Sequence, residues 1–335
     1  LLVGNGPFVL TKYILGDVIE VRKNPLYWNA ANVRLNGVNF YPTSDLGAEE
    51  RAFRNGLLHV TYTIPLTKIA AYRASNSPYL RIMPVYAHYF YTINTRKPPL
   101  NDPRVRLALN LSLDRQAIVD HVVRGGQTPA YSLTPPSPQY TSRTQLSENV
   151  TLARSLLAEA GYPGGKGFPS LELLYNTSES HRAVAEAIQQ MWKSNLGIQV
   201  TLANVAAPAW MDRRGQADFQ IIRAGWYADY LDPSSFLELY TSNNEMEQSG
   251  WSNPRYDAFI TAAANETNPS KRMEDFQQAE AILLHDVPFI PLYYYTTTIL
   301  IRPEVRGYEN NLLDLHPYTA IYFNPQATGP EPQKN

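Results

Sequence analysis

Residues 170–200 constrain the fold more than any other stretch. SLELLYN (170–176) reads as a strand, and HRAVAEAIQQMWKSNLG follows with Val184, Ala187, Ile188, Met191 and Trp192 on one face and Gly197 at its stop. IQVTLAN then returns as a strand. A strand-helix-strand connection of this length forms a parallel, right-handed crossover and places ligands at the carboxyl ends of the strands. The chain is therefore expected to be an α/β protein.

The remaining elements fit that class. FVLTKYIL and GDVIEVRKN are expected strands, a helix runs from about Gly47 to Asn55, and HVTYTIP (59–65) reads as a further strand. LRIMPVYAHYFYTINT (80–95) is a strand with Pro84 at an edge or bulge. Two helices share 102–122, with Asp114 capping the second. Further helices are expected at about 150–160, around Trp210, at 254–265 and at 270–286, the last announced by Asn268-Pro269. DFQIIRAGW and FIPLYYYTTTILIR are strands. The tail from Pro303 is loop and strand with a proline-rich, charged end expected to be disordered.

At 335 residues the chain has room for about two domains. A formal charge of −1 gives no reason to expect nucleic acid or an anionic membrane as partner. No apolar run approaches the ~18 residues of a membrane span. The absence of cysteine excludes disulfides, thiolate metal sites and cysteine nucleophiles. The N-terminal LLVGNGPFVL lacks the pattern of a signal peptide and starts in the middle of structure, which suggests a chain that begins part-way into a longer protein.

Enzyme signatures are missing: no G-x-S-x-G, P-loop or H-E-x-x-H occurs, and the six histidines are dispersed. The informative stretch is RAGWYADYLDP (223–233). Asp232, before Pro233, reads as a turn former. Asp229, among Trp226, Tyr227 and Tyr230, reads as a partly desolvated carboxylate that needs a cation. That cation is either an arginine of the protein itself or a ligand ammonium group. Twenty-three tyrosines, against 11 phenylalanines and 5 tryptophans, suit either sheet cores or a wettable ligand surface.

NGPFVLTKY, KNPLYW, INTRKPPLNDPRVRLALNLSLDR, AEAGYP, LLYNTSESHR, RAGWYADYLDPSSF and VPFIPLYYY occur in an order that resembles the periplasmic oligopeptide-binding proteins of bacterial ABC importers, extracellular solute-binding protein family 5. The resemblance runs from Gly4 to about Asn324. It implies a periplasmic-binding-protein-like type II fold comprising part of lobe I (1–72 and 297–335) and a complete, ligand-contacting lobe III (73–296). It implies no catalysis, no cofactor and no bound metal. The implied partners are a short extended peptide and the permease subunits of the importer, with the membrane reached only through the permease. The implied protein is a periplasmic monomer, exported by a signal peptide that this chain lacks.

The resemblance also assigns residues. The backbone of Gly225, Trp226 and Tyr227 would pair with the peptide as a neighbouring strand, and Asp229 would bind its α-ammonium group. Arg223, Arg214 and His181 would serve the carboxylates of peptides of different length. Tyr295 would face the ligand, and Tyr89 and Tyr91 would line the cleft. Two departures bear on specificity: Asn110 stands where well-known members place a lysine, and Ala207 replaces a pocket tryptophan, with Trp210 close by. Two other readings stay open. A sensor domain fused to a regulator would be revealed by the upstream gene sequence, and a carrier of another solute (murein peptide, haem or a nickel complex) by direct titration.

Overall fold

The structure is a computed structural model and describes residues 4–327. The last part of the charged tail lies outside the described residues. The chain forms two compact units, residues 1–83 with 297–335, and residues 84–296.

In the first unit, β1 (Phe8–Ile14), β2 (Val18–Lys23) and β3 (Gly37–Phe40) make an antiparallel sheet in that order. Helix α1 (Leu46–Arg54) starts where Asp45 accepts the Ala48 N–H at 2.9 Å. Helix α2 (Leu66–Ala74) follows. The strand expected over 59–65 does not form: only Val60 bridges, to Ile301. Its apolar alternation is outcompeted locally, because the Glu49 carboxylate takes the Tyr62 N–H and Pro65 has no N–H to give.

The second unit is built on a mixed sheet. Strand β4 (Leu80–Ile93) and strand β9 (Phe289–Leu300) contribute most of their length to it. Between them come α3 (Pro103–Leu111), the short α4 (Arg115–Ala117), β5 (Thr128–Pro129), α5 (Val150–Glu159) and β6 (Leu171–Asn176). Next are α6 (Glu179–Leu196), β7 (Val200–Val205), α7 (Ala207–Gly215), β8 (Ile221–Tyr227), α8 (Ser234–Leu237), α9 (Pro254–Asn265) and α10 (Pro269–Asp286). Strands β10 (Val305–Arg306) and β11 (Tyr322–Phe323) then pair in the first unit. The six-stranded order is β5-β9-β4-β8-β6-β7.

The crossover forms as its sequence pattern dictates. β6 and β7 pair in parallel from Leu171↔Val200 to Asn176↔Val205. Val184, Ile188 and Trp192 of α6 are fully buried against the sheet, and the Trp192 indole donates to Leu109 O at 3.0 Å. Gly197 ends α6 at φ +72°, a conformation that a side chain at this position would strain. Asp114 caps α4 through the Ala117 N–H at 2.7 Å, after which the helix widens into π-type winding over Ile118–Val123. α10 opens with Asn268 accepting from Ser270 N and Lys271 N, as Asn268-Pro269 announced.

Candidate functional site

Strand β8 carries the site, and its two edges differ. On one side it pairs antiparallel with β4 along its whole length, from Ile93↔Ile221 to Ala87↔Tyr227. On the other side β6 pairs with it only at Ile221 and Ile222. Beyond Ile222 the two parallel strands separate.

Hydrogen-bond parity then decides which groups face the gap. Ala228 N donates to Tyr86 O at 2.9 Å and Asn94 N to Gln220 O at 2.8 Å. In the register Tyr89↔Gly225, these bonds make the even-numbered residues of β8 the ones that exchange main-chain bonds with β4. The main-chain groups of Trp226 belong to that ladder. Gly225, one residue earlier, turns its N–H and C=O to the side from which β6 has withdrawn.

A Cβ at Gly225 would stand 3.2 Å from His88 O, 3.3 Å from the Tyr295 hydroxyl and 3.4 Å from Arg223 Nη2. The glycine therefore relieves crowding on the face that carries Arg223 and Tyr295.

Just past β8 the two acids of ADYLDP separate in role. Asp232 is held by Arg272 through two bonds of 2.6 and 2.8 Å, and it accepts from Ser234 N at 3.0 Å. These bonds keep its carboxyl below the ordinary range in spite of its burial. Of the two acids, it is Asp232 that the internal arginine takes. Among the described residues the Asp229 carboxylate has no ion-pair partner, while its backbone N–H donates to Ser235 Oγ at 3.2 Å. The same Ser235 oxygen receives the Trp226 indole at 3.3 Å, which fixes the turn that presents the acid. Asp229 is exposed, as are Tyr227 and Tyr230, so the desolvation expected from its aromatic neighbours is not realised here.

Arg223, two residues before Gly225, rises from the same face of the sheet. Its guanidinium donates to the Tyr295 hydroxyl at 2.8 Å and lies 5.0 Å from the centre of the Tyr89 ring. Its Nε is buried without a partner. His181, from the first turn of α6, meets the Tyr89 hydroxyl at 3.3 Å. Burial, and then the nearby Arg223, push the His181 imidazole down to about 3.

His181 is therefore neutral at pH 7. Its contribution to stability is complete above the unfolded value near 6.5 and is lost as pH falls toward 3. The stability of the native chain relative to His181→Gln, measured by denaturant unfolding, should drop by about 1.4 kcal/mol per pH unit between pH 6 and 4. A pH-independent difference would contradict this assignment.

Tyr89 and Tyr91 lie deeper than expected, both fully buried in the main core of the unit. Tyr293, not singled out from the sequence, stacks on Tyr89 at 4.7 Å, and Tyr227 stacks on Tyr295 at 5.1 Å. The spacing of Tyr293 and Tyr295 on one strand was the available signal. Arg214, on α7, donates to Gln248 Oε1 at 2.6 Å and lies 5.4 Å from the Trp210 ring centre. Trp210 packs on Leu174, Phe219 and Ile222, and Ala207 is exposed at the start of α7.

Asn110 is fully buried and committed to the interior. Its Nδ2 donates to Arg106 O and Phe289 O, both at 3.1 Å, and its Oδ1 accepts from the buried Arg115 at 3.2 Å. Among the described residues no group of three or more acidic or histidine side chains is arranged to hold a metal ion, and no helix is long and apolar enough to cross a membrane.

Residues 1–248 match the model of bacterial extracellular solute-binding proteins, family 5 middle. The chain is 35% identical over 316 residues to the periplasmic oligopeptide-binding protein OppA of Salmonella typhimurium, covering 92% of this chain and 58% of that protein. It is 37% identical over 314 residues to the probable deoxycholate-binding periplasmic protein YgiS of Escherichia coli, again covering 92% of this chain and 58% of the relative. Among solved structures, the murein tripeptide binding protein MppA of Escherichia coli superposes with a TM-score of 0.89 at 34% identity, over 96% of this chain and 65% of that one. The chain thus spans 58–65% of the length of these relatives and shares their type II periplasmic-binding-protein fold. It belongs to family 5 of the bacterial extracellular solute-binding proteins.

Proposed function

We propose that this chain is the ligand-gripping part of a receptor that captures short extended peptides and hands them to an ABC importer in the periplasm, without catalysis. The observation that carries this reading is the pairing edge at Gly225, two residues from Tyr227 and four from an acid without an internal cation. A peptide adding there as a strand is held by main-chain bonds that any residue sequence supplies, and its ammonium group meets Asp229. Arg223 and His181 lie toward the other end of the same strand, where a peptide running antiparallel to β8 would bring its carboxylate. Tyr295 and Tyr227 would flank it, and Tyr89, Tyr91 and Tyr293 would form the floor beneath.

In this reading residues 73–296 correspond to a ligand-contacting lobe and the rest to part of a second lobe. The receptor works as a monomer and meets the membrane only at its permease. The relatives are named for an oligopeptide, a murein tripeptide and deoxycholate, and of these only the peptides need a strand edge and a carboxylate.

Calorimetry on the full-length protein with trialanine, N-acetyl-trialanine and deoxycholate tests the proposal. Trialanine should bind at least about a hundredfold tighter than its acetylated form, since acetylation removes the charge that would pair with Asp229 and leaves the acid covered by the ligand without a cation. Binding of deoxycholate with no binding of either peptide would overturn it.

A further inference from the structure

Alternate residues of a strand point the same way, so the side chains of Arg223 and Tyr227 share one face of β8 with the bare position at Gly225. Tyr295 reaches this face from β9, and the strand order β9-β4-β8 makes it come across β4. Its ring centre lies 5.8 Å from that of Tyr89, the β4 residue opposite Gly225, and its hydroxyl accepts from Arg223 at 2.8 Å. Tyr227 stacks on this ring, with centres 5.1 Å apart and planes inclined by 29°. One face of Tyr227 is therefore covered from the β4 side. The other looks toward the side from which β6 has withdrawn, and the residue remains 55% exposed.

Register fixes what a ligand strand would lay against that outer face. Tyr227 is odd-numbered like Gly225, so its main chain turns to the gap and not to the β4 ladder. In a peptide running antiparallel to β8, residues directly opposite one another send their side chains to the same face, and each step toward the peptide's N-terminus is a step along β8 toward Asp229. A tripeptide whose third residue pairs with Gly225 has its first residue opposite Tyr227 and its ammonium group beside Asp229. The first side chain then lies against the outer face of Tyr227, while the second points to the opposite face of the sheet.

We infer that Tyr227 makes this site select peptides whose N-terminal residue is aromatic. The inference rests on the peptide reading above. A ring at the first position adds a third member to the stack of Tyr295 and Tyr227 and covers an exposed tyrosine face. Facing aromatic pairs gain free energy beyond the area they bury, whereas an aliphatic side chain of similar size gains the area alone.

The test is calorimetry on the full-length protein with Phe-Ala-Ala, Leu-Ala-Ala and trialanine, repeated with Tyr227→Leu and Tyr227→Phe. The native protein should bind the phenylalanine peptide about fivefold or more tighter than the leucine peptide, and trialanine most weakly. Tyr227→Phe keeps the ring and should keep that ratio. In Tyr227→Leu the ratio should fall to about one, whatever happens to absolute affinity. A ratio near one in the native protein with all three peptides bound, or a native ratio that survives in Tyr227→Leu, overturns this inference and leaves the peptide reading standing. No binding of any of the three overturns both.

Discussion

Replacing Asp229 with alanine should weaken the binding of a free-amine tripeptide by about two to three decades, the equivalent of removing one member of a desolvated ion pair at ~3–5 kcal/mol. The same substitution should leave folding stability within about 0.5 kcal/mol, because the carboxylate is exposed and has no internal ion-pair partner to lose. An N-acetylated peptide provides the control. It should bind the native protein and Asp229→Ala equally weakly, so that the two changes are not additive. Additive losses would mean that the acid acts elsewhere than on the ammonium group. Asp232→Ala should behave in the opposite way: it breaks the bidentate contact with Arg272 that shapes the turn, and it should lower stability before it changes any direct contact.

The second large effect is expected at Gly225. Alanine there keeps the main-chain N–H and adds one methyl group, which must fit within 3.2–3.4 Å of His88 O, the Tyr295 hydroxyl and Arg223 Nη2. Proline adds bulk at the same place and removes the N–H. Since that N–H faces away from β4, its removal leaves the β4–β8 ladder intact, as an edge position permits. Gly225→Pro should therefore bind peptides at least about tenfold more weakly than Gly225→Ala, while the two unfold at denaturant concentrations that differ little. Equal affinities, measured by calorimetry on both variants, would place the ligand off this edge.

Much of this architecture is local chemistry, and local chemistry is readable in a sequence. The β6–α6–β7 crossover follows from one amphipathic face and a terminal glycine. The caps at Asp114 and Asn268 follow from side chains that satisfy free N–H groups, and Asp232 as a turn former follows from its place before proline. What escaped the sequence depends on partners distant along the chain. The segment 59–65 alternates like a strand, yet its N–H at Tyr62 goes to Glu49. β3 is only four residues long, and α2 buries Ile69 alone, so neither has a period strong enough to read.

The site shows the same division. The residue types of RAGWYADYLDP announced a strand end with an acid, and the family resemblance attached roles to them. Which acid an internal arginine would take was not legible, because Arg272 lies forty residues further along. Nor was the withdrawal of β6 after Ile222, which decides that Gly225 has an open side. The depth of Tyr89 and Tyr91 was missed for a similar reason: the strand that holds them is covered by helices whose packing no local pattern specifies.

A crystal structure of the full-length protein with bound trialanine tests the central claim most directly. The peptide should lie antiparallel to β8, exchanging main-chain hydrogen bonds of about 2.9 Å with the N–H and C=O of Gly225, with its ammonium group on Asp229. A peptide bound away from this edge, or a β8 whose Gly225 is paired with the protein's own chain, would contradict the account.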